Sequence, residues 1–183
     1  MSKIVKLSVP GGGPGGKNEY YFNASQVIYC SPFPFEPITQ LVVSNGKIFE
    51  LKQSIEEILP HVSKVIKVIK VSKRTRDDVE LVYYVNPSQV TWLEPPVEKT
   101  GALIFLNNNN CLQVEQSIEE ILPQLGKVIK VSARRGKVAY YVNTLLVVWW
   151  QPHPVETGTL IFLNNDRFLH VDQSMDEILP QIS

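Results

Sequence analysis

The octapeptides QSIEEILP, QSIEEILP and QSMDEILP, beginning at Gln53, Gln116 and Gln173, constrain this chain more than any other feature. Each begins 33 positions after a tyrosine (Tyr20, Tyr83, Tyr140) that opens a Tyr-Tyr-Phe/Val-Asn run ending at Asn23, Asn86 or Asn143. Tyr83 follows Tyr20 by 63 positions and Tyr140 follows Tyr83 by 57. Constant spacing within and variable spacing between means one module written three times, over residues 1–63, 64–126 and 127–183. A unit of about 60 residues buries only a marginal core by itself, so the modules are expected to lean on one another.

Each module opens at 4–9, 67–72 or 127–132 with lysines and β-branched residues in alternation, the pattern of a half-exposed strand. The tyrosine run is the second strand. The third carries Val27, Val90 or Val147 and, two residues on, Tyr29, Trp92 or Trp149; a period of two puts both on one face, expected to be core. Cys30, Leu93 and Trp150 then face the other way. Proline-rich connections at 31–34, 94–97 and 151–154 end the pairing. A fourth strand ends at Asn45-Gly46, Asn108-Asn109 or Asn165-Asp166, residues that tolerate positive φ and mark a tight hairpin.

A fifth strand leads into Ser54, Ser117 or Ser174, each three residues before Glu57, Glu120 or Glu177, the spacing of a capping box. Pro60, Pro123 and Pro180 are expected to stop the helix after about two turns. The expected fold is therefore mainly β with short helices, a β-rich α+β class. It comprises three tandem five-stranded modules, each closed by a short C-terminal helix and packed as a pseudo-trimer.

These residues resemble a known family. An I-x-L strand, a strand ending in Asn, an apolar strand, a proline, an Asn-Gly turn and a closing Ser-x-x-Glu helix are similar to the small flagellar-accessory FlbD family. Module one carries the resemblance best, through Asn23, Ile28, Pro37, Thr39, Asn45-Gly46, Ser54 and Glu57. Its other copies replace the turn glycine with Asn109 and Asp166. The resemblance implies a small β-rich module without enzymatic activity.

Lys+Arg 18 against Asp+Glu 18 leaves no net charge, hence no global field to recruit nucleic acid or an anionic membrane. No segment approaches the roughly 20 apolar residues of a membrane span, and the start of the chain lacks the apolar run of a leader, so a cytoplasmic or virion-associated protein is expected. Cys30 and Cys111 fall at different module offsets and are expected to be buried free thiols. His61, His153 and His170 show no metal-ligand spacing, and no nucleophile–base pair stands out, so neither an enzyme nor a cofactor or metal is expected.

Residues 11–17 satisfy the G-x-x-x-x-G-K half of a phosphate loop. Asn18 stands where the magnesium-binding Ser or Thr would be, and a strand follows instead of a helix, so a hairpin tip is expected. Corresponding tips carry Lys73, Arg74 and Arg76, and Arg134, Arg135 and Lys137; with Lys17 these are the candidate contacts for an anionic ligand. Phe33, Phe35 and Trp150, beside the proline loops, are candidate protein contacts. Two functions follow as expectations. One is a non-enzymatic scaffold, accessory subunit or virion component that binds a protein partner or itself. The other is a protein sequestering an anionic small molecule such as a nucleotide signal, as a phage-encoded decoy would.

Overall fold

The computed structural model describes residues 4–10, 17–33, 36–62, 64–70, 81–97, 100–133 and 135–182. The side chains of Val5, Ser8, Val9, Pro10, Lys17, Asn18, Glu19 and Lys70 also lie outside the description. The protein is mainly β, with antiparallel sheets and a few short helices, and divides into two compact units, Met1–Gln89 and Val90–Ser183.

In the first unit, β1 (Ile4–Pro10) and β2 (Lys17–Asn23) form a hairpin, and a 3-10 turn at Ala24–Gln26 leads into a meander. That meander is β3 (Val27–Pro32), β4 (Thr39–Val43) and β5 (Ile48–Leu51), followed by α1 (Ile55–Ile58). A second hairpin, β6 (Ile66–Lys70) and β7 (Leu81–Val85), completes the unit. Leu7, Phe22, Val27, Cys30, Leu41 and Ile58 form the heart of its core, with β1 lying against β5.

The second unit begins with the meander β8 (Val90–Glu94), β9 (Ala102–Leu106) and β10 (Cys111–Val114), followed by α2 (Ile118–Ile121). The hairpin β11 (Val128–Ala133) and β12 (Val138–Asn143) follows. A last meander, β13 (Val147–Pro152), β14 (Thr159–Leu163) and β15 (Phe168–Val171), leads to α3 (Met175–Ile182). Its core gathers Trp92, Val131, Val142, Ile161, Val171 and Ile178.

The turns behave as their residues dictate. Gly46, Asn109 and Asp166 hold φ of 80°, 67° and 61° at one position of the three β4–β5-type hairpins. Ser54 and Ser117 Oγ accept from the Glu57 and Glu120 amides while those carboxylates accept from the serine amides, closing both capping boxes. In α3 both the Ser174 amide and its Oγ donate to Glu177, which holds that carboxyl below the usual carboxylate range.

Two expectations about the helices and strands fail. Pro180 does not stop its helix: α3 runs on to Ile182, with the Gln181 side chain donating to the Glu177 carbonyl. More consequentially, the register slips between Val27 and Tyr29, between Val90 and Trp92, and between Val147 and Trp149. A β-bulge at each place inserts one residue, and one residue is enough to exchange the faces of everything beyond it. Val27 therefore shares the core with Cys30 and not with Tyr29. In the last meander the same bulge turns Trp150 onto the core and leaves Trp149 51% exposed, the reverse of the sequence expectation.

Candidate functional site

Two joints of one design determine what is left open. In the first unit β7 pairs antiparallel with β3, Tyr29 opposite Val85 and Cys30 opposite Tyr84. In the second, β12 pairs with β8, Trp92 opposite Val142 and Leu93 opposite Tyr141. In both, a hairpin completes the meander that precedes its own in the chain.

An asparagine locks each joint. Asn86 Oδ1 accepts from the Ser88 amide to cap the next 3-10 turn, and its Nδ2 donates 2.9 Å to the Val27 carbonyl, 59 positions away. Asn143 repeats this, accepting from the Leu145 amide and donating 2.9 Å to the Val90 carbonyl. Both are buried, so each amide substitutes for the water those groups lose. Asn23 keeps the cap, accepting from the Ser25 amide at 3.1 Å, yet among the described residues its Nδ2 has no carbonyl to meet, and it is only half-buried.

The third meander lacks such a cover. Among the described residues β13 pairs only with β14, and β2 only with β1. Val148 and Trp149 are 66% and 51% exposed, whereas their counterparts Thr91 and Trp92 are buried. On β2, Tyr21 is 67% exposed. Trp149, Phe162, Leu163 and the Arg167 side chain border an open cleft of about 410 Å³ beside β13. A strand edge of unpaired amides and carbonyls beside such a cleft is equipped to add a strand from a partner.

Of the residues singled out in the sequence, Phe33 is exposed at the end of β3 and Trp150 packs half-buried on the core of its unit. Phe35, Lys73, Arg74, Arg76 and Arg134 lie outside the described residues, as does the Lys17 side chain, although Lys17 opens β2 opposite Pro10. Residues 11–16 are also outside them. Arg135 and Lys137 are exposed at the β11–β12 tip, where the amides of Arg135 and Gly136 both donate to the Asp172 carboxylate. A carboxylate thus already occupies the donors a phosphate would use.

The sequence reading missed a cluster formed by His153, Glu156 and His170, whose ligating atoms lie within 4.8 Å of one another. The histidine rings stack at 4.3 Å. His153 Nδ1 accepts from the Val155 and Glu156 amides, so the neutral ring carries its proton on Nε2 and presents no lone pair there. His170 Nε2 lies 3.1 Å from the Thr157 carbonyl, leaving Nδ1 toward Glu156 at 3.7 Å. This set fastens the β13–β14 connection and, as arranged, supplies one imidazole ligand instead of two.

Comparison with family models, curated proteins and solved structures found no match.

The thiols differ from expectation. Cys30 is buried, and burial pushes its thiol up to about 12; Cys111 is exposed, contrary to the buried pair expected, because it opens β10 on the strand's outward phase, where burial alternates along the residues. Ellman's reagent at pH 8 is expected to label one thiol of the native protein and the second only after denaturation. Rapid native labelling of Cys30 would contradict this placement.

Proposed function

We propose that this chain is a non-enzymatic interaction and assembly protein, whose three FlbD-like modules stand in for the subunits of a trimer and whose working surface is the β13 edge. The observation that carries the reading is the contrast between β3 and β8, each sealed by a hairpin, and β13, which has the same sequence pattern and the same bulge but no covering hairpin among the described residues. Trp149 and Val148 supply the apolar area, and the unpaired backbone supplies directional bonds. Scaffold, accessory subunit and virion component are the roles such an edge serves. The alternative, sequestering an anionic ligand, is weaker because Asp172 and Glu156 bring negative charge to the cleft that holds Arg135 and Tyr140.

A cyclised synthetic hairpin with the sequence of residues 127–143 tests this reading. Titrated into the whole protein, it is expected to shift Trp149 emission to the blue and to slow amide exchange across 147–152. No change in either up to the solubility limit of the peptide would sink the proposal.

A further inference from the structure

We infer that the strand β13 accepts is β2 of a second copy of this chain, so that copies join head to tail through the joint already used twice inside each chain. The inference rests on the reading of β13 as an open docking edge and names its occupant.

The argument is one of equivalence. By module offset, Tyr20, Tyr21, Phe22 and Asn23 on β2 correspond to Tyr83, Tyr84 and Val85 on β7 with Asn86 just after it, and to Tyr140, Tyr141, Val142 and Asn143 on β12. The registers of the internal joints then place Phe22 of one copy opposite Trp149 of the next and Tyr21 opposite Trp150. Tyr83 packs edge-on against Tyr29 at 5.2 Å in the first joint; Tyr20 is the side chain that would meet Trp149 in the same way. Asn23 completes the match. It is the copy of the locking asparagine whose Oδ1 is engaged and whose Nδ2, among the described residues, is not, and by module offset the Val147 carbonyl stands where Val27 and Val90 receive that bond.

Both surfaces are more exposed than their counterparts: Tyr21 at 67% against half-buried Tyr84 and Tyr141, and Trp149 at 51% against half-buried Tyr29 and buried Trp92. Burying such aromatic area is the main favourable term in forming the contact. Zero net charge sets up no long-range repulsion between copies. Because the two surfaces differ, the contact is heterologous, and it continues from copy to copy unless a ring closes.

The test uses two whole-chain variants whose substitutions fall on exposed side chains. Val148→Asp/Trp149→Asp blocks β13 and leaves β2 intact; Tyr20→Asp/Tyr21→Asp does the reverse. In sedimentation velocity the wild type is expected to grow in mass with concentration, each variant to remain monomeric, and their equimolar mixture to form a dimer and stop. Asn23→Asp keeps the cap acceptor but loses the donor, and is expected to weaken wild-type association by about tenfold or more. A wild type that stays monomeric, a singly blocked variant that still assembles, or a mixture that fails to dimerise overturns the inference. If the 127–143 hairpin binds β13 while the copies do not join, the docking edge stands and only its proposed occupant falls.

Discussion

Asn86→Asp and Asn143→Asp are each expected to cost about 3 kcal/mol of folding stability at pH 7, the scale on which an uncompensated buried charge is penalised. The same change at Asn23, in dilute solution, is expected to cost under about 0.5 kcal/mol, since aspartate caps as well as asparagine. Asn86 and Asn143 are buried with Nδ2 on the carbonyls of Val27 and Val90, whereas Asn23 lacks that contact. A carboxylate oxygen placed against those carbonyls is repelled and loses its hydration, so the new acid has a folded pKa above the unfolded value of about 3.9. With the folded pKa raised, the variant is least penalised at pH below the unfolded pKa, and the deficit grows as pH rises through the folded one. Urea melts at pH 4.5 and 7 check this: the deficit of Asn86→Asp shrinks at the lower pH. Equal costs in all three copies would mean that the asparagines act only as caps.

Gly101→Ala and Gly158→Ala are expected to be more damaging still, by about 4 kcal/mol each, combining backbone strain with a forced displacement. Gly101 has φ of +97°, and an added Cβ would sit 2.0 Å from the Val114 carbonyl oxygen; Gly158, at +104°, would put its Cβ 2.0 Å from that of Val171. Both obstacles are backbone of the adjoining strand, which cannot swing aside as a flexible side chain can. Gly46→Ala supplies the comparison: φ is +80° but nothing lies within 4 Å, so only the conformational penalty of about 1 kcal/mol applies. Thermal melts that rank Gly46→Ala alongside the other two would show that the close approach to β10 and β15 is not as described. The equivalent position in the first module is Ile38, which is why glycine at this site could not be read as a requirement from the sequence.

Local features were legible wherever a residue's own chemistry decides its backbone. Asn109 and Asp166 take positive φ in the turn where Gly46 does, because short polar side chains tolerate that conformation. Ser54 and Ser117 close capping boxes because the partner carboxylate is three residues away and needs nothing distant. The faces of the third strand were legible only in part: Trp92 is buried in the core as expected, whereas Tyr29 and Trp149 are not. Ile28, Thr91 and Val148 are ordinary strand residues, and nothing in them announces a bulge; the extra residue is accommodated by the partner strand's ladder. Of the candidate contacts, Phe33 is exposed, but the bulge exchanged the roles of Trp149 and Trp150, and with them the identity of the exposed aromatic.

Sequence alone determined the strand-rich class, the tight turns, the serine caps and the recurrence of one pattern at three places, since each depends on interactions within a few residues along the chain. Tertiary structure alone decided which strand each edge pairs with, because a backbone edge offers the same donors and acceptors to any extended partner and only non-local packing selects one. The Asn86 bond to Val27 spans 59 positions and the Asn143 bond to Val90 spans 53. No periodicity encodes such a choice, and it is this choice that, among the described residues, leaves β13 paired only with β14.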